Sequence, residues 1–293
     1  MTQKLSDWAL LLALVAMWGS SFMFNKIGVA TVPPLTVVAC RLGIAALVLL
    51  VMLYGSGRRL PPPGKVWLAY FVLAIVGNAL PFFLITWGQQ AIDSALAGIL
   101  IAAMPLATLV LAHFLVRGEH LTARRIGGFV LGFLGIVALM EPAAGGAGGA
   151  LEVVSQLAVL GGALCYAANS VIARLLVRTD FLVAATATLL VASVIVIPLA
   201  LALDAPWRIR PGAFSTAAIM WLGAGPTAIA TIFYFRLISS AGPTFMSLVN
   251  YLSPAVAVFL GVTLMGEQPG VHAYAGLGLI LGGIALSQWR RRS

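Results

Sequence analysis

Ten apolar stretches take up most of this 293-residue chain, at approximately 7–27, 34–54, 66–87, 94–115, 124–140, 155–176, 183–203, 213–236, 243–265 and 271–289. Each is near the ~20 apolar residues that a helix needs to cross the hydrocarbon of a bilayer. Lipid offers no hydrogen bonds, so a spanning segment must satisfy its own backbone, and continuous apolar runs of this length do so as helices. Composition agrees: 61% of residues are hydrophobic and only 9% charged, against about 25% charged in a soluble domain. The expected fold class is all-α integral membrane, with ten transmembrane helices and no soluble domain. Lys4 followed by an apolar run could pass for a signal peptide. The run continues to Phe24 with no small-x-small cleavage site and nine more spans follow, so it reads as the first transmembrane helix.

The net charge of +9 is distributed as a topology label. With both termini in the cytoplasm, the inner side receives 13 of the 17 basic residues: Lys4, Arg58, Arg59, Lys65, Arg117, Arg124, Arg125, Arg174, Arg178, Arg236, Arg290, Arg291 and Arg292. Lys26, Arg208 and Arg210 fall outside and Arg41 lies within the second helix. This positive-inside bias argues for that orientation and against a nucleic-acid partner. The two cysteines, Cys40 and Cys165, sit inside apolar helices and offer neither a disulfide framework nor a metal spacing. No metal and no cofactor is expected.

The chain reads as one unit used twice. Five helices precede residue 141 and five follow residue 152, around the Gly/Ala-rich EPAAGGAGGALE. The expected division is 1–141, a linker at 142–152, and 153–293. Adding 148 to a first-half position pairs Trp18 with Tyr166, Ser21 with Asn169, Lys26 with Arg174, Gly128 with Gly276 and Gly135-Ile136 with Gly283-Ile284. IAAMPLATLVLAHFLVRGE at 101–119 and NYLSPAVAVFLGVTLMGE at 250–267 share a mid-helix proline, Pro105 against Pro254, and a closing Gly-Glu. Pro81 and Pro226 pair at a slightly different offset. Five is odd, so the second copy must enter the membrane from the opposite side, giving an inverted-topology repeat of the kind from which alternating-access transporters are built.

Five plus five helices, the WGSSF of Trp18 to Phe22, Arg41 after Pro33-Pro34, and the paired P…GE of helices 4 and 9 resemble the drug/metabolite transporter superfamily, specifically its EamA family. Within it the chain is similar to bacterial aromatic amino-acid exporters. The resemblance covers nearly the whole chain and implies a secondary transporter of the bacterial inner (plasma) membrane that exports small metabolites, amino acids including aromatic ones. It would work by alternating access, without an obligatory protein partner and as a monomer. A multidrug, quaternary-ammonium or nucleobase exporter of the same fold is the alternative; the quaternary-ammonium version calls for an acidic residue in the cavity, and none is seen.

Each proline deletes a backbone donor and frees the carbonyl four residues earlier: Asn250 for Pro254, Ile101 for Pro105, Gly77 for Pro81 and Leu222 for Pro226. A bare carbonyl in lipid costs several kcal/mol, so these kinks should face a watery or protein-lined interior. Pro81, Pro105, Pro226 and Pro254 are the expected hinges, and helices 3, 4, 8 and 9 the walls of a central cavity. All four asparagines, Asn25, Asn78, Asn169 and Asn250, fall within expected spans, where each must meet a helix neighbour, water or substrate. With the aromatic residues Trp18, Phe82, Trp87, Tyr166, Tyr234 and Tyr251 they form the candidate substrate contacts. Interhelical bonding for the amides, and an interfacial belt for several of the rings, are the competing readings. Aromatic walls with neutral amides suit a small uncharged or zwitterionic molecule.

The eight carboxylates, Asp7, Asp93, Glu119, Glu141, Glu152, Asp180, Asp204 and Glu267, all lie near helix ends or in loops. With no mid-membrane acid to relay protons, weak or no coupling to protons or sodium is expected. Glu119 and Glu267 are expected to complement the N-terminal dipole of the following helix. Arg41, about two turns into helix 2, is expected to snorkel to the outer surface, with contact to a substrate carboxylate as the alternative. Gly128-x-x-x-Gly132 and Gly278-x-x-x-Gly282 offer small faces for packing within the bundle, with dimerisation the less favoured use. His113, His120 and His272 are too scattered for an enzyme site, and no nucleotide-binding loop occurs.

Overall fold

The computed structural model describes residues 4–116, 121–145, 149–176 and 180–288. Arg117, the Gly118-Glu119 pair, His120, Arg178 and Arg290, Arg291 and Arg292 lie outside the described residues, as does the side chain of Glu141. Ten spans follow: α1 Leu5–Val29, α2 Pro34–Gly55, α3 Val66–Gly88, α4 Ser94–Leu115, α5 Ala123–Gly145, α6 Gly149–Leu176, α7 Phe181–Leu203, α8 Ala213–Gly242, α9 Val249–Met265 and α10 Val271–Gln288. All but the 17-residue α9 are long and apolar enough to cross a membrane alone. No strand occurs among the described residues. Large apolar side chains such as Leu47, Val51, Phe214 and Phe259 cover the exterior, as a lipid-facing surface requires.

Two boundaries differ from expectation. The Gly/Ala-rich stretch is mostly helical, α5 running to Gly145 and α6 starting at Gly149. Its alanines, leucine and glutamate are strong helix formers and outweigh the glycines. Near residue 243 the chain bends at Gly242 (φ 84°), takes a helical turn over 243–246, and begins α9 only at Val249.

Three spans are interrupted, and a fourth break lies between two spans. α3 widens into a π-helical segment at Ile75–Ala79 and α8 into another at Gly223–Ile229. α4 breaks at Ala102-Ala103, just ahead of Pro105. The fourth break, at Ser247-Leu248, precedes α9, which runs unbroken through Pro254. Pro81, Pro226 and Pro254 are buried and Pro105 is half-buried, so these irregular segments turn inward and not toward lipid.

Helix pairing is symmetric under exchange of each helix with the one five later. α1 packs on α9 and α8, and α6 packs correspondingly on α4 and α3; α2 lies along α7, α4 along α9 and α5 along α10. The last three pairs are antiparallel. Thr36 meets Asp204 while Arg58 meets Asp180, and Ala95 sits by Gly261 while Gly98 sits by Ala257. Along α5 and α10, Gly128 abuts Gly283 and Gly135 abuts Gly276. Adding 148 to the first residue of each of these two contacts yields a member of the other.

The α5–α10 seam corrects one expectation. Gly128 and Gly132 do face partners within the bundle, but on α10 the close approach uses Gly276 and Gly283, whereas Gly278 has open space around it. A Cβ at Gly283 would meet the Gly128 carbonyl and lie 2.7 Å from the Gly132 nitrogen. Overpacked cores lose roughly 1–3 kcal/mol. Gly283→Val is therefore expected to lower the melting temperature of detergent-purified protein by ~2–8 °C, while Gly278→Ala leaves it unchanged; equal melting of both variants would refute the seam.

Candidate functional site

Proline and threonine together build the centre. Pro226 leaves the Leu222 carbonyl without its helical donor, and the Thr227 hydroxyl donates to that carbonyl at 2.8 Å. In the other half, 149 residues earlier, Asn78 Nδ2 reaches the Leu73 carbonyl at 3.5 Å, a longer contact to a carbonyl other than the Gly77 one that Pro81 frees. Each π segment thus carries a side chain that bonds the carbonyl five residues earlier in its own helix, and in α8 that carbonyl is the one Pro226 frees. Trp18 of α1 donates its indole N–H to the Pro226 carbonyl at 3.1 Å and tilts against Tyr234 at 5.8 Å between centroids. On the opposite half, Asn169 of α6 presses against Gly77 in the α3 segment, leaving no room there for a side chain.

Arg41 joins these parts. Its Nε donates to Thr227 Oγ1 at 2.8 Å, and its guanidinium lies 3.9 Å from the centroid of Phe82, the residue after Pro81. Phe82 meets Tyr166 edge-on at 6.4 Å. The expectation that Arg41 snorkels outward is overturned: a hydroxyl and an aromatic face inside the bundle hold the guanidinium. Tyr166 packs against both of the larger apolar clusters and so stands where they meet.

Call the bundle end at which α1 begins the near end, and the other the far end. Asn25 is 2% exposed near the far end. Its amide donates to Gln89 Oε1 at 2.7 Å and accepts from Thr86 at 3.1 Å, while Gln89 donates to the Phe22 carbonyl. Asn25 is thus spent on joining α1 to α3. Trp87, half-buried between Thr86 and Gln89, belongs to the same end. Lys26 caps the end of α3 through the carbonyls of Gln89 and Ile92 at 2.9 and 2.8 Å.

Glu267 is structural, but its partner is not the following helix. Gly266 adopts a left-handed conformation (φ 67°) that ends α9 and turns the chain back. Glu267 then accepts hydrogen bonds from the Ser94 N–H, the Ser94 hydroxyl and the Ala95 N–H at 2.7–2.9 Å, capping α4 from the other half of the chain. Asp204, ending α7, does the same for α2 through Thr36, with both bonds at 2.8 Å. Burial and the Glu267 charge push the neighbouring Asp93 carboxyl above its ordinary range, with Lys26 pulling it down.

Asn169, Asn250 and Tyr166 make no side-chain hydrogen bond to another described residue. Tyr251 packs against the cluster that Tyr166 also touches. The sealed side-chain atoms left without a partner among the described residues are Gln156 Oε1 and Ser253 Oγ, so the free groups of Asn169, Asn250 and Tyr166 remain within reach of solvent. Two hollows lie at the rim instead, one of about 180 Å³ beside Thr36, Cys40 and Ile219 and one of about 430 Å³ beside Gly43, Leu190 and Ile197.

Sequence reasoning missed Thr227, Gln89 and Asp204. A threonine directly after an intramembrane proline was a usable signal, since its hydroxyl can reach a freed carbonyl.

A polytopic bundle of apolar helices with polar groups in its interior defines a multi-pass membrane protein. The sequence model described as the EamA-like transporter family matches residues 7–140 and again 154–289, and the chain belongs to that family. It is 27% identical to the uncharacterized inner membrane transporter YedA of Escherichia coli over 97% of this chain and 91% of that protein. It is 25% identical to the uncharacterized transporter YvbV of Bacillus subtilis, over 95% of this chain and 90% of that one. A solved crystal structure matches its fold with a TM-score of 0.70 at 21% identity, covering 98% of this chain and 99% of the other.

Thr227→Val removes the donor to Leu222 and the acceptor for Arg41 while keeping the side-chain shape. Leaving those groups unpaired should destabilise the protein by ~1–3 kcal/mol, read as a lowered melting temperature that Thr227→Ser restores. Thr263→Val, whose hydroxyl bonds only the Phe259 carbonyl on the exterior, should stay within ~0.5 kcal/mol. A stable Thr227→Val protein would remove this hydroxyl from the account.

Proposed function

We propose that this EamA-family transporter exports small zwitterionic metabolites, amino acids including aromatic ones, across the bacterial inner membrane by alternating access. The observation that carries the reading is the unpaired Tyr166 hydroxyl and Asn169 amide against the α3 π segment, with the unpaired Asn250 amide in the first turn of α9. Trp18, Phe82, Tyr234 and Tyr251 supply aromatic walls, and Asn78 retains a free carbonyl oxygen. Asn25 and Trp87 leave the proposed substrate contacts, since they serve the far-end junction.

Antiparallel pairing of helices five apart, the exchange of the two glycine contacts, and the double family match support two inverted repeats rocking on each other. Hinge roles for Pro81 and Pro226 rest on the π segments beside or around them, and for Pro105 and Pro254 on the nearby breaks. Hydrogen bonds accepted by the half-buried carboxylates of Glu267 and Asp204 fasten the halves at the far end, which favours a conformation reached from the near end. Basic residues on the near side favour a cytoplasmic near end and an outward cargo. The described carboxylates sit at span ends, in keeping with transport that draws little on proton or sodium gradients.

The test is counterflow in proteoliposomes with a panel of labelled amino acids, nucleobases and cationic dyes. Saturable counterflow of aromatic amino acids is expected, unchanged when pH and sodium gradients are collapsed. Asn78→Ala and Asn250→Ala should each weaken it by ~10-fold, the scale of one lost hydrogen bond to a charged group. Unaltered kinetics in both variants would defeat the site, and counterflow of dyes alone would defeat the substrate class.

A further inference from the structure

We infer that Arg41 is the carboxylate anchor of the transport site, so that the cargo is a small organic monocarboxylate carrying a flat apolar group. This rests on the amino-acid reading above. The only ion pair among the described residues joins Arg58 to Asp180 at an exposed end; Arg41 has no carboxylate beside it. An uncompensated cation between membrane spans is costly unless an anion meets it.

The geometry leaves one way for that anion to approach. Thr227 occupies Nε and Phe82 covers one face of the guanidinium. The edge carrying Nη1 and Nη2 donates to no other described residue, and neither nitrogen is sealed from solvent without a partner. That edge is the fork that binds a carboxylate with two parallel hydrogen bonds. Because Thr227 is tied in turn to Leu222, the α8 π segment sets the direction of the fork. The rings of Phe82 and Tyr166 lie next to it and offer apolar contact to the remainder of the cargo. A fixed positive charge at this place also repels a quaternary ammonium, which sets the cationic-drug alternative aside.

Counterflow of labelled phenylalanine by the wild-type protein needs no variant to read the anchor. Unlabelled phenylalanine and phenylacetate should compete, while phenylalaninamide and phenethylamine, lacking the carboxylate, should compete ~10-fold to ~100-fold less well. Arg41→Gln should raise KM for phenylalanine by a similar factor. Arg41→Lys, which keeps charge but loses the fork, should fall between, with its melting temperature reporting intact folding. Equal competition by acid and amide, or an unchanged KM in a folded Arg41→Gln protein, overturns the anchor and leaves the exporter reading standing. If the wild-type protein moves phenylacetate in an Arg41-dependent way but no amino acid, the amino-acid reading fails and the anchor stands. If it moves only neutral or cationic compounds, both fail.

Discussion

A carbonyl released inside hydrocarbon must find a donor, and this molecule supplies it from within the same helix. Thr227 bonds the Leu222 carbonyl that Pro226 frees in the α8 π turn, and Asn78 reaches the Leu73 carbonyl beside the α3 π turn. The wider turns leave other carbonyls and side chains turned inward. Trp18 uses one of those carbonyls, and the Thr227 hydroxyl accepts from Arg41. Remove the self-repair and the centre loses the fixed points against which its charge and rings are placed.

Two kinds of contact hold the halves around that centre. Bare backbone meets bare backbone where Gly128 and Gly135 face Gly283 and Gly276, a van der Waals seam that lipid cannot imitate. Carboxylates at span ends cap helices of the other half, as Glu267 does for α4 and Asp204 for α2.

Hydropathy alone gave ten spans, because lipid filters sequence so strictly that length and apolarity suffice. The inward kinks were also readable, since a proline's consequence for its carbonyl is local chemistry. What could not be read was which side chain meets which. Asn25 and Asn78 look alike in sequence, yet one closes a network with Gln89 and Thr86 while the other mends its own helix. Arg41 seemed destined for the surface from its depth in α2, and only the tertiary arrangement reveals a ring and a hydroxyl waiting for it. The Gly266-Glu267 pair was visible as a motif, but the helix it serves begins 173 residues away and no local rule could name it. Of α10's glycines, the spacing singled out Gly278, whereas the contact depends on which face turns to α5.

The two ends of the bundle are fastened by unlike materials. Thr36 and Ser94, both buried, are bonded to half-buried acids at one end, whereas Arg58 and Asp180 are each about half exposed, at 49% and 45%, at the other. Dissolved ions weaken an exposed pair, with a screening length of ~8 Å at physiological ionic strength, and scarcely reach a buried one. Ionic strength on one side of the membrane therefore acts more strongly on the fastening at one end of the protein than on the fastening at the other.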